Sequence, residues 1–184
     1  MKVIHIAGNL YELSRYDSRS HMAACMYQSG VQAESKGEVH DAQTYYAKAV
    51  NADPAFAAAW VNLGTLQCQL GALPRAEFCY RQALAADAEY ALARYNLACC
   101  LQDQERHEEA RTEYEQVLHN CPDYFDALFN LAHMHLYHFS RPEKALHFIQ
   151  KCERLRPKDR NLLVLKRSWA KWHKNMGWQV FQAS

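Results

Sequence analysis

Small and large apolar residues alternate along this chain at helical intervals, and their arrangement repeats every 34 residues. Laid out from Ala23, the blocks run 23–56, 57–90, 91–124 and 125–159, the last with one extra residue in the His138–Arg141 turn. Position 8 of the blocks reads Gly30, Gly64, Ala98, Ala132, and position 20 reads Ala42, Ala76, Ala110, Ala145. Position 24 reads Tyr46, Tyr80, Tyr114, Ile149, and position 27 reads Ala49, Ala83, Val117, Cys152. Small residues at 8, 20 and 27 let two antiparallel helices approach closely, while mostly larger ones at 4, 7 and 24 fill the space between them. Pro54, Pro122 and Pro157 at position 32 stop the second helix where no donor is needed. Gly37, Gly71 before Pro74, and Ser140-x-x-Glu143 punctuate the turns between the helices of blocks one, two and four, the last reading as a capping box. Each block is thus a helix hairpin that must stack on its neighbours to bury its face. Residues 160–184 add one more amphipathic helix and a tail, with Leu162, Leu163, Leu165, Trp169 and Trp172 apolar on a Lys/Arg-rich background. That helix reads as a cap.

The pattern resembles the tetratricopeptide repeat (TPR) family, W-x2-L-G-x2-Y then A-x3-F, A and P. Block two matches it best, with Trp60, Leu63, Gly64, Ala76, Tyr80 and Ala83. Gln67 for Tyr, Arg94 for Trp, Ala88 for Pro and the extra residue in block four depart from it. The resemblance implies an all-α TPR α-solenoid: four helix-hairpin repeats stacked in a right-handed superhelix, plus the C-terminal capping helix. It also implies that the first helix of each repeat lines a concave groove through positions 2, 5, 6, 9, 12 and 13.

Those positions select the candidate peptide-binding residues: Tyr27, Gln28, Val61, Asn62, Thr65, Tyr95, Asn96, Cys99, Phe129, Asn130 and His133. Two rows stand out. Position 6 gives Gln28, Asn62, Asn96 and Asn130, four side-chain amides at repeat spacing. Position 5 gives the apolar row Tyr27, Val61, Tyr95, Phe129. An amide carries both a donor and an acceptor and so matches a peptide backbone unit whatever its side chain. Asparagine is a mediocre helix former, so its recurrence calls for another reason. Helices about 8–10 Å apart would set one rung per three residues of an extended ligand. This resembles the asparagine ladder of the O-GlcNAc transferase TPR domain, which implies a grip on the main chain. The alternative is that the amides were copied with the repeat and merely face water. TPR domains that hold acidic chaperone tails use Lys and Arg around an Asn. Here Asn62 matches, but Tyr27, Val31, Leu92 and Asn96 occupy the other places.

The formal net charge of +1 conceals a split. Residues 23–124 carry seven basic and fourteen acidic side chains, a net −7, and residues 125–184 carry eleven and four, a net +7. The first function expected is non-catalytic binding of a neutral or basic extended segment of a partner protein. One alternative is self-assembly into a homo-oligomer, acidic body against basic end. The other is contact with nucleic acid or an acidic partner through Arg141–Lys174, disfavoured because Phe148, Trp169, Trp172 and Trp178 are few and mostly needed for packing.

Catalytic chemistry is not expected: no phosphate-binding glycine loop and no nucleophile motif occurs. His133, His135, His138, His147 and Cys152 lack the tight spacing of a zinc site, so neither metal nor cofactor is expected. Seven cysteines, an odd number without a CxxC pair, point to a reducing, cytoplasmic setting. No apolar run approaches a membrane span. The first 22 residues stand apart as an extension whose apolar stretches, Val3–Ala7 and Leu10–Leu13, either cap the first hairpin or lie extended in a groove.

Overall fold

The computed structural model describes residues 10–175, with side chains from 18 to 174. Among the described residues the structure is helical throughout, with no strand. The elements are α1 (Leu10–Ser35), α2 (Val39–Ala52), α3 (Ala57–Gln69), α4 (Leu73–Ala86), α5 (Ala91–Asp103), α6 (His107–Asn120), α7 (Phe125–Tyr137), α8 (Pro142–Leu155) and α9 (Arg160–Asn175). The chain divides into two units, residues 1–100 and 101–184, with the division inside α5.

In the first unit α1 packs on α2, α2 on α3 and α3 on α4. The space between α1 and α2 is set by Gly30, whose missing Cβ would lie 2.6 Å from the Tyr46 ring, and that between α3 and α4 by Gly64 against Tyr80 at 2.8 Å. Glycine here permits close approach, and a fully buried tyrosine fills the hollow. Ala33, Ala42, Ala49, Ala59, Leu63 and Leu66 complete the cluster around Tyr46. In the second unit α6 packs on α7, α7 on α8, and α9 on both α8 and α7. Leu128, Ala132, Ile149, Cys152, Leu162 and Leu165 form its core, flanked by Trp169 and Trp172. The Trp169 indole donates to the Pro142 carbonyl at 2.9 Å, which ties α9 to the start of α8.

The turn inside each hairpin is built one way. One residue adopts the left-handed conformation: Gly37 (φ 77°), Gly71 (φ 73°), Glu105 (φ 61°) and Ser140 (φ 50°). The next backbone N–H reaches back to close the helix end, Glu38 to Ala33 O, Ala72 to Gln67 O and Arg106 to Leu101 O, each at 2.9 Å. The extra residue in the fourth turn lengthens that span, so Arg141 N–H reaches His135 O instead. This corrects the capping-box reading of Ser140 and Glu143. The N-cap of α8 is Arg141 and makes no side-chain cap bond, while Ser140 serves as the left-handed turn residue.

A Cβ on Gly71 would meet nothing within 4 Å, so only its φ resists substitution. Gly71→Ala is therefore expected to cost about 1 kcal/mol and Glu105→Gly to cost less or stabilise, measured by urea denaturation.

Arg94, where the repeat pattern has Trp, keeps that residue's function. Trp60 Nε1 donates to Pro54 O at 2.9 Å, and Arg94 Nη2 donates to Ala88 O at 2.8 Å, the same carbonyl one repeat on. Helix α1 begins at Leu10 and runs unbroken into the first hairpin. Residues Leu10–Leu13 are thus helical, which removes the extended reading for that stretch. The Ser20 hydroxyl on α1 donates to Asp53 Oδ2 at 3.2 Å, at the C-cap of α2. Val3–Ala7 and Trp178 lie outside the described residues.

Candidate functional site

The amides singled out by their repeat spacing are not equivalent. Asn62 Nδ2 donates to Tyr27 Oη at 3.3 Å and to Tyr46 Oη at 3.2 Å. The Tyr46 hydroxyl has one proton and gives it to Glu34 Oε2 at 2.7 Å, so what faces it from Asn62 must be a donor. Burial, and then the Glu34 carboxylate, push the Tyr46 phenol well above the usual range. The order Asn62–Tyr46–Glu34 is thereby fixed in direction, and Asn62 keeps only its Oδ1 for anything else.

Asn130 Nδ2 likewise donates to Tyr114 Oη at 2.9 Å, and Tyr114 donates to Gln102 Oε1 at 3.3 Å. In both pairs the asparagine follows the tyrosine by sixteen residues. Sixteen residues after Ile149, where the tyrosine row turns apolar, stands Leu165. Ile149 and Leu165 are both buried in the second unit's core. A tyrosine pairs with an asparagine and an isoleucine with a leucine. The recurrence of asparagine is thus explained at Asn62 and Asn130 by a bond within the protein.

The third tyrosine behaves differently. Tyr80 donates to Thr65 Oγ1 at 3.4 Å, and Thr65 in turn donates to Val61 O at 3.0 Å. Thr65, Cys68, Gln69, Tyr80, Asn96 and Cys99 line a cavity of about 290 Å³ between α3 and α5, with no charged side chain among them. Three of the eleven candidates, Thr65, Asn96 and Cys99, meet there. A second cavity of about 320 Å³, in the second unit, takes in Phe129 and His133 with Tyr137, Asn161, Val164 and Leu165.

The remaining candidates separate. Tyr27 is half-buried, its ring 5.0 Å from Phe56 and 5.7 Å from Tyr46. Gln28 is exposed and Tyr95 half-buried. Val61, expected in the exposed apolar row, is 2 % exposed and offers no surface to a ligand. The tyrosines of position 24 were missed as partners of the site, although the constant spacing to the asparagines was present in the sequence.

The histidines form no ligand set: among the described residues no group of three or more His, Cys, Asp or Glu is placed to hold a metal. The rings of His107 and His138 lie 4.0 Å apart, tilted by 33°, and His133 lies 6.1 Å from His138. His135 is buried flat against Phe148 at 5.5 Å, its Nδ1 without a partner. Burial first, then neighbouring cations or imidazoles, holds His133, His135 and His138 below the ordinary value of 6.5. Below pH about 6.5 the unfolded chain binds more protons at these sites than the folded one, so stability falls as pH drops. The expected outcome is a lower melting temperature at pH 5 than at pH 7.5, with His135→Phe reducing the difference, measured by circular dichroism. Burial pushes the thiols of Cys79 and Cys152 up to about 11, which leaves them protonated and poor nucleophiles at neutral pH. Among the described residues no helix is long and apolar enough to cross a membrane.

Paired helices with small residues at the crossings define a helix-hairpin repeat protein. The tetratricopeptide repeat family model matches residues 27–91, 73–125 and 95–160, and the chain belongs to that family, as an all-α TPR solenoid. Proteins of this family generally mediate protein–protein contacts. Its fold is similar to that of MamA, with a TM-score of 0.75 at 18% identity over 85% of this chain and 83% of that one. It is also similar to the first TPR of Spaghetti (RPAP3) bound to the HSP90 peptide SRMEEVD, with a TM-score of 0.57 at 26% identity over 59% and 86%. A third likeness is to the O-GlcNAc transferase of Thermobaculum terrenum, with a TM-score of 0.66 at 22% identity over 74% of this chain and 26% of that one. No curated protein sequence matches the chain significantly.

Proposed function

We propose that the chain is a non-catalytic adaptor whose inner helix faces hold an extended segment of a partner protein. The observation that carries the reading is the uncharged cavity between α3 and α5, where Thr65, Asn96 and Cys99 converge beside Tyr80. No hydrogen bond within the protein claims the Asn96 amide among the described residues, in contrast to Asn62 and Asn130. It has both a donor and an acceptor to offer. Asn62 contributes an acceptor, its Oδ1, and so reads a ligand N–H rather than a carbonyl. The RPAP3 domain holds an acidic peptide, SRMEEVD. A neutral or basic segment suits this chain better, because its corresponding positions carry Glu34, Asp103 and Asp126 and no Lys or Arg.

The test is selection of displayed random decapeptides on the full chain, followed by titration of the enriched peptides against Asn96→Ala. Loss of one peptide hydrogen bond is expected to weaken binding about fivefold, from roughly 1 kcal/mol. Unchanged affinity for every enriched peptide, or an enrichment of acidic peptides, would sink the assignment.

A further inference from the structure

A cavity of about 410 Å³ in the second unit is lined by Glu115 of α6, His135 of α7, and Glu143, Lys144, His147 and Phe148 of α8. Small-molecule sites span about 300–1,000 Å³, so its size is that of a ligand site. Glu115, Glu143, Lys144 and His147 are exposed and form the rim. His135, 2 % exposed, forms the floor, and half-buried Phe148 lies parallel to its imidazole, 5.5 Å between ring centres and 6° between planes. The Nδ1 of His135 is buried without a hydrogen-bond partner. A buried polar atom left so is costly, and native structures nearly always satisfy one with protein, water or ligand. The place is also unusual for a histidine. In the pattern W-x2-L-G-x2-Y the last position is tyrosine, and Leu128, Leu131 and Ala132 put His135 there. A shorter ring without a hydroxyl thus stands where the repeat has a phenol.

We propose that this cavity binds an uncharged phenol, its ring stacked on Phe148 and its hydroxyl paired with the His135 imidazole. The rim decides the charge. Glu115 is already held by Arg111 at 2.6 Å. Of the others, an anion would meet Glu143 and a cation would meet Lys144, so neither sign is favoured. The floor decides the polar group. Burial, then Lys144, Arg111 and Arg141, holds the imidazole below its ordinary 6.5 against the opposing Glu115. At neutral pH the ring is therefore uncharged, with one donor nitrogen and one acceptor nitrogen. Each long edge of an imidazole carries one nitrogen, so whichever edge faces the cavity presents one. A phenolic hydroxyl both donates and accepts and so suits either tautomer, whereas an indole N–H only donates. Phe148 supplies the ring surface that an offset aromatic stack requires. The site depends on α6, α7 and α8 alone and stands whether or not the α3–α5 cavity holds a partner.

The deciding measurement is titration of the isotopically labelled full chain with p-cresol at neutral pH, followed by NMR. p-Cresol is expected to bind about fivefold more tightly than toluene, the worth of one hydrogen bond. It should also bind more tightly than 4-methylbenzoate or 4-methylbenzylamine, which add a charge of either sign. A ring-nitrogen resonance of His135 should move with p-cresol and stay in place with toluene. His135→Phe should erase the advantage of p-cresol and leave the binding of toluene. The repeat pattern has an aromatic residue at this place, so Phe should be accommodated, and the His135 resonance decides the matter in the unchanged protein if it is not. p-Cresol stands for a free small molecule and N-acetyl-tyrosinamide for a tyrosine of a partner chain, and the tighter of the two names the source of the phenol. Equal affinity for p-cresol and toluene overturns the proposal. So does a His135 ring that p-cresol leaves unmoved, tightest binding of a charged analogue, or an advantage of p-cresol that survives His135→Phe.

Discussion

Gly30→Ala is expected to destabilise the first unit by about 1–3 kcal/mol, although glycine to alanine in a helix interior ordinarily gains about 1 kcal/mol. The sign reverses because of what the new methyl meets. A Cβ at Gly30 would sit 2.6 Å from Tyr46 Cε1 and 2.7 Å from Cδ1. The ring has nowhere to go: Tyr46 is fully buried, and its hydroxyl is held by Glu34 and Asn62. Either α1 and α2 part, with loss of packing around Ala42 and Ala49, or the ring tilts and the hydrogen bonds break. Gly64→Ala should act in the same direction and more weakly, since its nearest ring atoms lie at 2.8 and 3.0 Å. Urea denaturation gives the value. In a Tyr46→Leu background the same Gly30→Ala change should cost little, and the difference measures the contact between them. Equal stability of Gly30→Ala and the unchanged protein would refute the close approach.

Asn62→Asp tests the direction of the polar chain from Asn62 through Tyr46 to Glu34. Tyr46 has already given its single proton to Glu34, so position 62 must supply a donor, and a carboxylate cannot. The new carboxyl would face two phenol oxygens, with Glu34 competing for the Tyr46 proton. The expected cost is about 1–3 kcal/mol at pH 7, that of a half-buried polar contact left unsatisfied. The sign of its pH dependence follows. The folded state raises the pKa of the new carboxyl above its unfolded value of about 3.9, so the penalty is absent below that value and grows as pH rises through the folded one. Asn62→Ala, which leaves Tyr46 bonded to Glu34, should cost only about 1 kcal/mol. Denaturation at pH 4 and pH 7 separates the cases, and a carboxyl tolerated at pH 7 would reverse the donor assignment. Tyr46→Ile combined with Asn62→Leu, which copies the Ile149 and Leu165 pair, should recover more stability than either change alone predicts.

These two sites also show how legibility divided. The hairpins could be read from Gly30, Ala42 and Ala49 and their counterparts because crossing helices require small residues at fixed places, and a one-dimensional period records that requirement. The hairpin turns were legible at Gly37 and Gly71, where a left-handed backbone calls for glycine. They were not legible at Glu105 and Ser140, which adopt the same conformation without the residue that advertises it. Arg94 read as a departure from the repeat, yet its guanidinium reaches the carbonyl that Trp60 reaches in the repeat before.

By itself the sequence determined the class of fold and the 34-residue register, since both follow from helical spacing and size alone. Only the tertiary structure decided which of the candidate side chains remain available. Val61 went into the packing, Asn62 and Asn130 were claimed by Tyr46 and Tyr114, Thr65 was bonded to Val61 O and Tyr80, and Asn96 kept its amide at the cavity it lines with Thr65 and Tyr80. The physical reason is that a hydrogen-bonding group is spent or free according to a partner sixteen residues away on another helix, and that partner is fixed only when the helices pack.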